Sequence, residues 1–342
     1  MRESSLTIST LVGWGILGTG AIARSFVRDL MLLSDARIAA VGSRSLDSAQ
    51  AFANAYRRDG HTARAYGSYE EMATDPAVDI VYVATPHAMH LENVQMCLIA
   101  GKPVLCEKAL ALNAAQTQQM MSLAAAKGLF LMEAMWMRCN PVIRQLREVA
   151  LGGAIGDVGQ VTADLGFIPA QPPKSRLLDP GLGASALLDI GVYPVNLAQL
   201  ILGEPAGIAA WAHVSDRGVD LNTGITLGYA SGAVAALTCS MTSRTSNVAT
   251  VCGNRGRIDI PARFHHPNRF TLHHNGSSRT YETQLRGTGL CYEAEEAQRC
   301  LREGLMESPL VPLADTLRIM SLLDSIRAEI GVAYQADRDV PT

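Results

Sequence analysis

Two patterns of apolar and polar positions divide the chain. Up to about residue 133, short apolar runs at 12–17, 37–42, 79–84, 102–106 and 129–133 alternate with stretches of helical spacing at 46–56, 91–100 and 113–127. Runs of that kind predict strands buried on both faces, and their alternation with helices predicts a parallel, doubly wound sheet. Ser68 and Glu71 have the S-x-x-E spacing of a capping box opening a short helix. Gly101 and Gly128 close the helices before them. Asn140 and Pro141 then start a helix to about residue 151, with Asn140 as cap and Pro141 at the first helical position. A strand is predicted at 158–167 and an irregular loop at 168–180, which holds Pro169, Pro172, Pro173 and Pro180. Residues 184–202 read as one helix. From 206 to 284 strand-like runs follow one another, separated by Ser231-Gly232, Gly253, Asn275-Gly276 and similar turns, so a mostly antiparallel sheet is expected. Two helices at 291–303 and 313–330 are read as packing elements. The fold class is α/β: a dinucleotide-binding domain over 1–136, then an α+β domain over 137–342 with a large open sheet.

The first run breaks into Gly18-Thr19-Gly20-Ala21-Ile22-Ala23, a strand, tight turn and helix in sequence. This is the Rossmann fingerprint with alanine as its third small residue. Gly18 permits the turn, Gly20 lets backbone amides reach a pyrophosphate, and Ala23 lets the helix pack on the strand. The diphosphate is expected at the positive end of that helix. After the second strand comes Ser43-Arg44, where NAD-preferring folds carry an acid for the ribose 2′-hydroxyl. A guanidinium pairs with a 2′-phosphate, so NADP is favoured over NAD.

A net charge of −3 without a basic stripe gives no electrostatic footprint for nucleic acid or an anionic membrane, so a small-molecule partner is expected. Residues 1–10 lack a signal-peptide core, and no later segment reads as a continuous apolar stretch of membrane-spanning length, so a soluble cytoplasmic protein is expected. Seven scattered cysteines without CxxC spacing indicate neither a disulfide framework nor a zinc site.

Ligands of open α/β sheets bind at the carboxyl ends of the strands. Thr85, Pro86 and His87 follow one strand, with His90 a turn further on. Both histidines are candidates for the cofactor ribose or nicotinamide. Glu107 and Lys108 end the next strand in the same layer, with the lysine directed into the cleft. In the second domain, Asp189 and Tyr193 stand four apart on one helical face, with Asn196 three further on. By spacing alone they read as a buried, satisfied pair. His265-His266 and His273-His274 have no acidic or cysteine ligands at recognisable spacing, so no metal centre is expected. Lys174 and Arg176, in the proline-rich loop, read as surface charges.

Five segments together, GILGTGAIA, TPHAMH, AGKPVLCEKALALN, FLMEAMWMRCNP and GLGASALLDIGVYPV, resemble the Gfo/Idh/MocA oxidoreductases over nearly the whole chain. Within that family the chain is most similar to the dimeric dihydrodiol dehydrogenase and NADP-dependent D-xylose 1-dehydrogenase group. The resemblance implies reversible hydride transfer between NADP(H) and a hydroxyl or carbonyl carbon of a sugar, trans-dihydrodiol or related polyol. It implies Tyr193 as general acid/base, Lys108 as the ammonium that lowers the phenol's pKa and donates to the substrate hydroxyl, and Asp189 as orienting group. It also implies a homodimer through the open sheet face, in keeping with the small apolar residues on both phases of 233–237. Ala109 stands where the family usually has proline. Two alternatives remain at this stage: an NAD-dependent inositol or polyol dehydrogenase, and a catalytically silent nucleotide-binding regulator.

Overall fold

β1 (Val12–Leu17) is buried at every position because a strand lies on each side and helices cover both faces. In this computed structural model, which describes residues 11–58, 60–169 and 176–338, the strands alternate with helices as the apolar pattern predicts. In order they are β1, α1 (Ala21–Leu30), β2 (Ala36–Gly42), α2 (Leu46–Ala55), β3 (Arg64–Tyr66), α3 (Tyr69–Ala73), β4 (Ile80–Val83), α4 (His90–Ile99), β5 (Val104–Glu107), α5 (Ala114–Lys127) and β6 (Leu131–Ala134). The parallel sheet runs β3-β2-β1-β4-β5-β6, so its order reverses between β1 and β4, where a crevice opens beyond the strand ends. Side chains cap α2, α3 and α5: Ser45, Ser68 and Asn113 each accept an amide of the first turn. Trp14, Phe26 and Tyr82 fill the space beneath α1, with Phe26 stacked on Tyr82 at 3.7 Å between centroids.

The chain then crosses through α6 (Trp136–Cys139) and α7 (Pro141–Leu151), which Asn140 caps by accepting from the amides of Val142 and Ile143. β7 (Val158–Gly166) and α8 (Val192–Leu202) precede β8 (Gly207–Val214), β9 (Asp220–Gly228), β10 (Val234–Ser240), β11 (Ala249–Gly253), β12 (Gly256–Ile260), β13 (Arg269–His274) and β14 (Ser277–Glu282). The eight-stranded order is β14-β13-β12-β11-β7-β10-β9-β8. Only β7 and β10 pair in parallel; every other ladder is antiparallel.

The single helix read over 184–202 is divided: Leu187–Gly191 is a π-helical turn and α8 begins at Val192. Pro194 has no N–H for the carbonyl four residues back, so the regular ladder fails at that register and a wider turn takes its place. Gly191 lets this turn lie against β10, since a Cβ there would come within 2.8 Å of Cys239 Sγ. By length and composition alone, the stretch Pro180–Leu202 is apolar enough to cross a membrane, contrary to the reading that no such segment exists. It is a core element, 83% buried. α9 (Cys291–Arg302) packs on α1 and α6, and α10 (Leu313–Ile330) on α5, α8, β6 and β8, so α10 bridges the two sheets.

Candidate active site

The β1–α1 turn is built for close approach. Gly18 has φ +103°, and a Cβ there would meet the Ala84 carbonyl at 2.9 Å. Beside Gly20 there is open space, with nothing within 4 Å of where its Cβ would stand. A cavity of about 710 Å³ begins here. Gly18, Thr19, Gly20, Ala21 and Ile22 line it, with Ser43 and Arg44 from the end of β2, Thr85, Pro86 and His87 after β4, and Glu107 and Lys108 at the end of β5. Asp189 and Tyr193 complete its lining. A cavity of this size with a helix N-terminus and a guanidinium in its lining fits an NADP molecule: the turn amides suit the pyrophosphate and Arg44 the 2′-phosphate.

The Lys108 ammonium donates to the backbone carbonyl of Asp189 and lies 5.0 Å from the centroid of the Tyr193 ring. The two domains thus meet at these residues. Burial pulls the lysine below its usual range, opposed by the Asp189 and Glu107 carboxylates. Glu107 is buried, accepts from the Tyr82 hydroxyl, and is pushed up by burial. The Lys108–Ala109 peptide is cis, with alanine in the place of the family's proline.

Tyr193 differs from the expectation. Lys108 was to lower its pKa, but burial pushes the phenol well above its usual value and the Glu107 carboxylate adds to this. The ammonium lies over the ring face, while the hydroxyl accepts a hydrogen bond from Trp136 Nε1 at 2.6 Å. Tyr193 is therefore a neutral phenol with its own proton free to donate. Asp189 touches Lys108 through its backbone carbonyl. Its carboxylate accepts from Arg176 Nη1 at 3.2 Å, leaving Oδ2 buried and without a partner among the described residues.

Arg176 is thus a lining residue rather than a free surface charge; Lys174, Pro172 and Pro173 lie outside the described residues, as does the segment 1–10. His90 does not line the cavity. It is fully buried, and its ring nitrogens face the carbonyls of Thr85 (2.9 Å), Ala109 (3.1 Å) and Leu110 (3.2 Å). Burial pushes it down to about 3. It holds the lysine turn against the β4 loop instead of meeting a cofactor. His87 lines the cavity but is buried, with its nitrogens 3.2 Å from Gly183 O and 3.1 Å from Lys108 O. Asn196 bonds Arg138 and the Val192 carbonyl, away from the cavity.

Trp136 and the histidine pair escaped the sequence reading as site residues. Trp136 lay in a segment carrying the resemblance, but nothing in its spacing gave it a role. His266 stacks on Trp136 at 4.8 Å and His265 lies 4.8 Å from the Tyr193 ring, forming an aromatic wall beside the phenol. Burial holds both imidazoles neutral, His266 at about 4. His273 faces Asp259 and Ser278 on the exposed part of the sheet. Tyr69, also in the lining, neighbours Arg44.

The family model for the oxidoreductase family with an NAD-binding Rossmann fold matches residues 12–135, and that for the GFO/IDH/MocA C-terminal domain matches residues 143–259. The chain is 37% identical over 337 residues to the trans-1,2-dihydrobenzene-1,2-diol dehydrogenase of Mus musculus, covering 95% of this chain and 98% of that one. Among solved structures, a 3-ketoreductase from Actinomadura kijaniata in complex with NADP and TDP-benzene superposes with a TM-score of 0.83 at 27% identity, covering 94% and 98% of the two chains. An aldose-aldose oxidoreductase from Caulobacter crescentus gives 0.83 at 26% identity, covering 93% and 97%.

Proposed function

The chain belongs to the GFO/IDH/MocA oxidoreductase family, and from that premise we propose that it interconverts a hydroxyl and a carbonyl on a trans-dihydrodiol, a sugar or a related polyol, with NADP(H) as cofactor. The observation that carries this reading is a single cavity lined both by the glycine turn and Arg44 and by Lys108, Asp189 and Tyr193.

NADP(H), when bound, supplies or accepts the hydride. The protein's part is to orient the reacting carbon and move one proton. In the reducing direction Tyr193 gives its phenolic proton to the carbonyl oxygen, while Trp136 Nε1–H, already bonded to the phenol oxygen, stabilises the charge left there. Lys108 spends one N–H on the Asp189 carbonyl and has two more for the substrate oxygen. Asp189 Oδ2 accepts from a neighbouring substrate hydroxyl. Oxidation runs these steps backwards from the tyrosinate, the form that burial disfavours, so the site is set up for the reducing direction.

Trp136, stacked on His266 and edge-on to His265, adjoins the phenol, so the class this reading favours is a ring-shaped substrate presenting an apolar face there, as a cyclic diol or a pyranose such as D-xylose does. A panel of aldoses, trans-dihydrodiols and α-dicarbonyls followed by NADPH absorbance tests this. Turnover with a cyclic diol or aldose, stronger with NADP than with NAD, is expected; a protein that binds neither nucleotide would contradict it.

The same reading gives a homodimer. One face of the eight-stranded sheet is packed by α8 and α10, whereas the other presents Trp211, 73% exposed, with Val234 and Val248. A second copy covering that face removes an apolar patch from water. Seven free cysteines, six of them buried, fit a reducing, cytoplasmic location.

A further inference from the structure

The segment bearing Asp189 and Tyr193 is held at its start by a group that takes no part in the chemistry above. Asp220, on β9, is fully buried, and its Oδ2 accepts from the Leu187 amide at 2.8 Å and from Thr223 Oγ1 at 3.2 Å. Leu187 opens the π-helical turn, two residues before Asp189. Ser185 completes the hold: its hydroxyl accepts from the Leu188 amide at 3.0 Å and its carbonyl from the Asp189 amide at 3.0 Å. Asp220 thus fixes this end of the segment from outside it.

We propose that Asp220 is a positioning residue for the reaction: its carboxylate anchors the Leu187–Gly191 turn and so places Asp189 and Tyr193 opposite Lys108. The inference rests on the oxidoreductase reading for its kinetic consequence, though not for the anchoring itself.

The anchor is titratable in a useful range. Burial pushes Asp220 up to about 6, against the hydrogen bonds from Ser185, Leu187 and Thr223 that favour the ionised form. The titratable groups facing it are Cys239 on β10 and Tyr334 beyond α10, and burial raises both, so they remain neutral beside it. Arg327, whose guanidinium stacks on the Tyr334 ring, supplies positive charge from α10 at one remove. Above the midpoint the carboxylate accepts fully from the turn; below it, one oxygen becomes a hydroxyl and the hold weakens.

The test compares wild type, Asp220→Asn and Thr223→Val. Wild-type kcat should fall about five- to tenfold on acidification with a midpoint near 6, while KM for NADP stays within about twofold. In Asp220→Asn this limb should be missing, with kcat near the low plateau at all pH values. Thr223→Val removes one donor to the carboxylate and keeps the Leu187 bond, so it should move the midpoint up by about one pH unit. Melting temperatures read the titration of the buried carboxylate without activity, its burial and not its hold on the turn setting the sign. Asp220 binds its proton more tightly folded than unfolded, so wild type should lose stability relative to Asp220→Asn as pH rises from 4 towards 7. A limb unchanged in both variants, or parallel melting profiles, would overturn the proposal. Absence of any turnover would instead count against the oxidoreductase reading, and hydrogen exchange of the Leu187 amide, expected faster in Asp220→Asn than in wild type above pH 6 and overturning the anchor if equal, would still decide this one.

Discussion

Lys108 and Tyr193 divide the work of the site by burial more than by charge. The ammonium over the ring face does not outweigh the loss of water around the phenol, so Tyr193 keeps its proton and is poised to donate. Because burial pulls Lys108 down, its charge is lost below the usual lysine range as pH rises; the alkaline limb of kcat/KM should come from this group, and Lys108→Met should remove the limb along with most of the turnover. Trp136→Phe deletes the donor to the phenol oxygen and should cost about tenfold in kcat, with NADPH affinity unchanged by direct titration. His90 has a stability consequence instead. Its value is about 3 folded against 6.5 unfolded, so the unfolded chain binds more protons and stability is lost as pH falls below about 6.5. His90→Gln should flatten the acid side of a stability–pH profile, by at most about 1.4 kcal/mol per pH unit. Sequence spacing identified the glycines, Arg44 and Lys108 as candidates, and the family resemblance added Asp189 and Tyr193. It could not distinguish His87 from His90, because which of two histidines a turn apart faces the cavity depends on the β5 loop packed against them. Nor could it find Trp136, whose role depends on a partner 57 positions away.

Among the elements, those with local causes were legible and those with distant causes were not. Ser45, Ser68, Asn113 and Asn140 start helices where their side chains cap an amide, and each helix is where its cap indicates. β3 was less visible, since three residues at a half-exposed sheet edge carry no apolar run. The π-helical turn depends on Pro194 and on the fit of Gly191 against β10, and apolar periodicity records neither. α9 shows a cap supplied from across the chain. Asp29 of α1 accepts from the amides of Thr288 (2.9 Å), Leu290 (2.8 Å) and Cys291 (3.3 Å) and from the Thr288 hydroxyl (3.1 Å). Asp29→Ala would leave these donors unpaired. It should lower the free energy of unfolding by about 2–4 kcal/mol in urea titrations, more than loss of one exposed cap would.

At the scale of the molecule, two domains present their functional residues to one crevice. The order reversal of the parallel sheet opens it, and Asp189 and Tyr193 line it from the second domain. The architecture was readable because buried parallel strands and turn-punctuated antiparallel strands leave different apolar patterns. The meeting of Lys108 with Tyr193, 85 positions apart, was available only through the family resemblance. The open sheet face carries its own test of the proposed dimer: wild type should sediment as a dimer and Trp211→Glu as a monomer with the fold intact by circular dichroism, and a monomeric wild type would contradict the proposal. The account depends most on the phenol, and the most direct measurement is turnover of Tyr193→Phe beside its NADPH affinity. A fall in kcat of about two to four orders of magnitude, with NADPH binding within about twofold of wild type, is the predicted result. Wild-type turnover in that variant would contradict it.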